Sequence, residues 1–143
     1  MAAYNKFNVF VYHLGKGYHD LTNGNHDCKV YLTNNAPDAN ADVWKADLAG
    51  ITEESNYAPT TANQDWTQTA NITELTGEDI TFTADGGNFG PFRYVVLYND
   101  NATDGNNVDA LIAWWDYGSS INCNNGESFT WDLPANNLIA NIT

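Results

Sequence analysis

Positive charge is what this chain has least of. Its 143 residues hold 5 Lys and Arg against 18 Asp and Glu, a formal net charge of −13. The shortage is uneven. Residues 1–45 balance Lys6, Lys16, Lys29 and Lys45 against Asp20, Asp27, Asp38 and Asp42, whereas residues 46–143 set Arg93 alone against fourteen acids. Such a surface repels phosphate backbones and anionic lipid, which excludes nucleic-acid and membrane-surface partners as expectations. Cysteine is nearly absent: Cys28 and Cys123 lie far apart, and free thiols are the preferred reading over one long-range disulfide. No apolar run approaches the ~20 residues of a membrane span. The opening Met1-Ala2-Ala3-Tyr4-Asn5-Lys6 is too polar to begin a secretory apolar stretch, so synthesis in a cytoplasm without the usual export is expected.

Apolar and aromatic residues are plentiful, at 43% and 13% of the chain, enough for a core in a single domain over residues 1–143. Two runs stand out, Phe92–Tyr98 and Leu111–Tyr117, each fenced by Gly, Asn and Asp and rich in β-branched and aromatic residues. Simple alternation puts Phe92, Tyr94, Val96 and Tyr98 on one face of the first and Arg93, Val95 and Leu97 on the other. In the second, Leu111, Ala113 and Trp115 oppose Ile112 and Trp114. Neither run alternates apolar with polar, so both faces need cover, and these strands form the centre of a sheet.

Before them, Tyr4, Phe7, Phe10, Val11 and Leu14 fall at helical spacing, with His13 largely off the stripe and Gly15 and Gly17 to end it. A strand with Phe7, Val9 and Val11 on one face is the alternative. Cys28–Thr33 alternates like a strand. Lys45–Ile51 suits a helical turn or two, and residues 52–65 read as an irregular loop. Trp66–Thr73 is compatible with an edge strand, and Ile80–Ala84 alternates cleanly. Asn124-Asn125-Gly126 is a hairpin turn signal, followed by a strand with Phe129, Trp131 and Leu133 inward, and Leu138–Ala140 suggests a short last one. The sum is a mainly β fold, an antiparallel β-sandwich or jelly-roll-like barrel with a short N-terminal helix.

Few constellations point to chemistry. His13, His19 and His26 have spacings that match no zinc pattern, and solvated surface histidines are the preferred reading. Asp100-Asn101-Ala102-Thr103-Asp104-Gly105 opens like a calcium loop, but Ala102 and Leu111 stand where positions 3 and 12 need oxygen ligands. A plain hairpin loop is expected there, with an incidental calcium as the alternative. Gly118-Ser119-Ser120 lacks a nucleophile elbow, and the pairs Glu53-Glu54 and Glu78-Asp79 sit in turn contexts. Exposed Trp stacks on sugars, yet Trp114, Trp115 and Trp131 fall in strand patterns that favour core or interface. Gly86-Gly87-Asn88-Phe89-Gly90 precedes a strand, so it offers no phosphate cradle. Arg93, inside a strand pattern, needs a carboxylate partner. No catalytic, cofactor or metal residues are assigned; the structural or interface candidates are Arg93, Tyr94, Tyr98, Trp114, Trp115 and Tyr117.

Tyr4-Asn5-Lys6-Phe7, Lys29–Pro37, Lys45–Leu48, Gly90–Asp100, Leu111–Gly118 and Asn125–Phe129 together resemble small virion proteins of tailed bacteriophages, and the two central strands carry the most specific part of the likeness. The chain departs from the pattern in its polar Asn101–Asn107 loop and at Cys123. Small β-rich phage proteins of this length resemble head decoration, or cement, proteins. The resemblance implies a non-enzymatic role on the virion surface, the major capsid protein as partner, and a homo-oligomer, a trimer being the common arrangement. Burial of interface area across neighbouring capsid subunits would then hold the expanded shell against DNA pressure. A tail or head–tail protein, or a glycan- or receptor-binding β-sandwich module, is the alternative.

Overall fold

The computed structural model describes residues 2–142. Strand β1 (Tyr4–Lys6) and helix α1 (Val9–Gly15) precede β2 (Cys28–Thr33) and a 3-10 turn at Lys45–Asp47. There follow β3 (Thr60–Thr61), β4 (Asp65–Thr69), β5 (Ile72–Thr76) and β6 (Ile80–Thr83). The long strands β7 (Phe89–Asp104) and β8 (Asn107–Cys123) lead to β9 (Ser128–Trp131), a second 3-10 turn at Ala135–Asn137, and β10 (Leu138–Ile142). The pairings are antiparallel: a five-stranded sheet ordered β1-β8-β7-β2-β3, a three-stranded sheet β10-β5-β4, and the pair β6-β9. The fold is mainly β, as expected, with one short helix near the N-terminus.

The layers close on one core. Val30, Leu32, Val95, Leu97 and Trp115 from the large sheet meet Leu75, Ile139 and Ala140 from the second sheet and Phe82 and Trp131 from the third. Trp115 and Trp131 pack edge to face with ring centroids 5.0 Å apart. Burying each such large side chain stabilises the fold by about 1.5–3 kcal/mol, which is why the aromatic strands take the middle.

The outer face of the large sheet is also covered, and the cover comes from this chain. Val96, Tyr98, Leu111 and Tyr31 lie under Phe7, from the β1–α1 link, and Leu48, which follows the first 3-10 turn, with Trp114 packed against the group. Both faces of the central strands are therefore satisfied without a neighbouring subunit. The Lys45–Asp47 turn is fixed by the Asp47 carboxylate, which accepts the Val43 and Trp44 backbone N–H groups at 3.1 and 2.9 Å.

Several expectations need correction. Strict alternation fails at two β-bulges. The register passes from Leu97↔Ala113 to Tyr98↔Leu111, leaving Ile112 unpaired in the ladder, its carbonyl taken by the Phe7 N–H at 3.1 Å. Leu111 therefore faces Tyr98 and Trp114 instead of Trp115. A second shift between Phe92 and Tyr94 turns Phe92 into the inner core beside Val95. A bulge inserts residues into one strand and reverses the faces beyond it. At the N-terminus the expected helix over residues 4–14 divides: Tyr4–Lys6 pairs with Trp115–Ala113 as an edge strand, and the helix starts only at Val9. Its buried face is Phe10 and His13, while Val11 is 54% exposed.

Trp66–Thr73 is not one strand but most of a hairpin, turning at Ala70-Asn71, where Ala70 has φ of 54°. Asn124-Asn125-Gly126 is a turn, with Gly126 at φ of 88°, yet β9 leaves β8 and pairs with β6. β8 is already flanked by β7 on one side and β1 on the other, so β9 is left to the other layer.

Candidate interface and a buried histidine cluster

The six residues singled out by the sequence divide into two groups. Tyr98 and Trp115 are core, 3% and 2% exposed. Tyr98 meets Tyr31 edge to face at 5.5 Å, and the Lys45 ammonium lies over both rings at 5.1 and 5.3 Å. That cation–π contact gives the lysine a place among aromatics without a carboxylate partner. Trp114 is half-buried against Phe7, 4.6 Å between centroids. Arg93, Tyr94 and Tyr117 are half-buried as well; Arg93 bonds Asp116 and Tyr94 pairs with it across the ladder, while Tyr117 packs on Phe129.

Arg93 has the carboxylate partner its position demanded. Its Nε donates to Asp116 Oδ1 at 2.7 Å and a terminal nitrogen donates to Oδ2 at 3.0 Å, a two-point pair across β7 and β8. The Gly118 N–H adds a third donor to Oδ1 at 2.8 Å. These donors, Arg93 first, hold the Asp116 carboxyl below the usual carboxylate range, and Asp116 in turn raises the guanidinium. The guanidinium also lies over the Tyr94 ring at 5.3 Å. This corner exists because β8 carries Tyr117–Ser120 as extra residues opposite Arg93 between the Phe92↔Ile121 and Tyr94↔Asp116 pairings. Both side chains of the pair remain 39% exposed, so solvent screens the attraction and its contribution to folding is small. Its two-point geometry fixes the guanidinium beside the Tyr94 ring, whereas Tyr117 turns the other way, its ring 5.0 Å from that of Phe129 and its hydroxyl buried.

The histidines are the largest departure from the sequence reading. They converge beside α1 and β7, with His13 only 2% and His19 only 9% exposed and His26 half-buried. The Asn99 side chain, fully buried on β7, places Nδ2 at 3.0 Å from Nδ1 of His19 and 3.0 Å from Nδ1 of His26. Its Oδ1 accepts the Asn101 N–H at 2.9 Å. Phe10 packs edge to face on His19 at 5.2 Å, and the His13 ring is 6.0 Å from that of His19 and 4.8 Å from Trp44. Burial, with like charge from His13 and His26 behind it, pushes the His19 imidazole down to about 3. His13 is lowered too, burial outweighing the opposing pull of Asp104. Among the described residues no three His, Cys, Asp or Glu side chains are arranged to hold a metal ion. Sequence spacing had no access to this convergence, since Asn99 comes from a strand more than seventy residues downstream of the histidines.

At the same end, the first 3-10 turn and the β7–β8 hairpin form a cleft of about 380 Å³ lined by Trp44, Lys45, Asp47, Asn107, Val108 and Asp109. Burial and the nearby Asp100 raise the Asp109 carboxyl above its ordinary value. The would-be calcium loop is the tight tip of this hairpin, Asp104 pairing directly with Asn107. Lys29 closes onto Asp100 at 2.7 Å. Three exposed large apolar side chains belong to these elements, Val11 and Tyr12 on α1, 54% and 62% exposed, and Val108 in the hairpin, 49% exposed, while Ile72, 44% exposed, lies on β5. The sequence reading missed them, because Val11 matched the helical stripe and Val108 sat in a polar loop. Cys28 and Cys123 are free buried thiols within the inner core. No protein-family model, no curated protein and no solved structure matches this chain.

Proposed function

We propose that this chain is a bacteriophage capsid decoration protein, binding the outside of the mature head between major capsid subunits as a homo-oligomer, a trimer by the resemblance. The observation that supports it is a surface, not a pocket. Val11 and Tyr12 project from α1 and Val108 from the β7–β8 hairpin; α1 packs against β8, and Asp47 and Asp109 line the cleft that holds Val108. Exposed apolar side chains on elements that also carry carboxylates suit a protein partner with complementary basic groups. The rest of the surface is acidic with few free cations, since Lys29 and Arg93 are paired and Lys45 is held over aromatic rings. Action of this kind is mechanical. Interface burial exists only on the assembled, expanded shell, so binding free energy adds to its resistance to DNA pressure.

Quantitative mass spectrometry of purified virions tests the reading. Hundreds of copies per particle are expected, and a few dozen or fewer overturns it in favour of a tail or head–tail position. A second reading, a glycan-binding module, is favoured by one observation: the cleft sets Trp44 beside Asn106, Asn107 and Asp109. Binding to a glycan array by the isolated protein would support that reading instead.

A further inference from the structure

The polar atoms around Asn99 determine one another's protonation. The Asn101 N–H donates to Asn99 Oδ1 at 2.9 Å, so the atom facing both imidazoles is the amide nitrogen, which carries two protons to donate. His19 and His26 must therefore each present a lone pair at Nδ1. The Asp20 backbone N–H, at 3.2 Å from His26 Nδ1, imposes the same requirement independently. Both rings are thus neutral with the proton at Nε2, and for His19 that Nε2–H is buried with no partner. His13 Nδ1 is likewise buried and unpartnered. Nothing in the cluster can accept a hydrogen bond from an Nδ1–H.

What these bonds join is specific. They tie the connection of residues 16–27, by way of His19 and His26, to β7, with Phe10 and His13 of α1 packed behind. We propose that Asn99, His19 and His26 form an acid-sensitive latch, and that protonation of either ring at Nδ1 releases the 16–27 connection and α1 from β7. The charged and titratable groups around it come from every element it touches. His13 comes from α1, Lys16, Tyr18, Asp20 and Asp27 from the connection itself, Asp65 from β4, where it accepts the Asn23 N–H at 3.1 Å, Asp100 from β7, and Asp104 from the hairpin tip, where it faces His13 and Tyr18. Asp20 and Asp27 are already engaged, with Asn25 and Thr61 respectively, and neither is shown as a partner for a new Nδ1–H. Once open, the connection exposes the His19 imidazole with its ordinary affinity for protons. Because His19 is held neutral in the closed state, the open population then rises with a limiting slope of about tenfold per pH unit below ~6.5.

Hydrogen exchange on the intact protein tests this. The Tyr18 and His26 amides, bonded to His13 O and Asp20 O, report the latch, while those of Val96 and Trp114 in the β7–β8 ladder report the rest. After correction for intrinsic rates, protection at Tyr18 and His26 should fall by about fivefold or more from pH 6.5 to 5.5 while the ladder holds. Imidazole nitrogen spectra at pH 7.5 should show His19 and His26 as the Nε2–H tautomer. Asn99→Asp, which offers a carboxylate to both rings, should reverse the trend and strengthen protection in acid. Unchanged relative protection between pH 7.5 and 5, or an Nδ1–H on either ring at pH 7.5, overturns the latch. Those two measurements need only the unaltered protein, so they decide the matter even if Asn99→Asp fails to fold.

Discussion

Replacing Phe7 with alanine tests whether this chain really covers its own central sheet. Phe7 is fully buried, its ring 4.6 Å from that of Trp114, and it closes the group formed by Tyr31, Leu48, Val96, Tyr98 and Leu111. Removing a buried phenyl ring costs the lost transfer energy plus the cavity left behind, about 3–5 kcal/mol in well-packed sites. The upper half of that range is expected here. The neighbours on the sheet side are held in a β-ladder and cannot collapse inward, although Leu48, on an irregular segment, can relax somewhat. Set against a total stability on the order of 7–20 kcal/mol for a domain of this length, that is a large fraction. With a urea m value of about 2 kcal/mol/M, the unfolding midpoint should fall by roughly 2–2.5 M. Tryptophan fluorescence and circular dichroism in urea would both follow it, and their curves should coincide. The control is Val11→Ala at an exposed position, where a change within about 0.5 kcal/mol is expected. A Phe7→Ala loss below about 1 kcal/mol at unchanged m would refute the reasoning, because the outer face would then owe its cover to something other than the N-terminal segment.

Four further outcomes follow from the geometry. His19 is held near 3 in the fold against 6.5 when exposed, so its contribution is fully present above 6.5 and is lost as pH falls toward 3; between pH 7 and 5 this amounts to about 2 kcal/mol, and His19→Asn should remove that slope from denaturation measured across pH. Gly90 has φ of 118°, and a Cβ there would meet the Ile121 carbonyl at 2.9 Å, so Gly90→Ala should destabilise by about 1–3 kcal/mol in the same assay. Arg93→Met should leave the thermal midpoint nearly unchanged, since the pair is screened, and should instead weaken self-association or capsid binding in sedimentation; a large loss of folding with assembly intact would contradict this. Burial raises both thiols, most of all Cys28, so neither should react with a thiol reagent at pH 8 until denaturant is added, when both should.

A good deal of this fold was legible in the residues. Strand chemistry is local, so the aromatic, β-branched runs at Phe92–Tyr98 and Leu111–Tyr117 announced the central hairpin. Cys28–Thr33, Ile80–Thr83 and Ser128–Trp131 showed their inward faces by alternation alone. Arg93 advertised its need for a carboxylate because a cation inside a strand has few other solutions. Free thiols were legible as well, from their scarcity.

Tertiary structure decided what depends on partners distant in the chain. Ile112 and Phe92 change faces at bulges that no single strand encodes, because a bulge is a relation between two registers. Tyr4–Lys6 became a strand since an unpaired edge of β8 was there to receive it, overriding a helical spacing that the same residues satisfy. Ser128–Trp131 has the sequence of a hairpin return, yet pairs with β6 because β8 was already flanked on both sides. Most of all, three histidines with uninformative spacing converged, His13 and His19 buried and His26 half-buried, once β7 carried Asn99 beneath them. Composition and alternation act over neighbouring residues and settled the class of fold and the charge. Burial, protonation and facing are properties of contacts closed across the whole chain, and only folding could assign them.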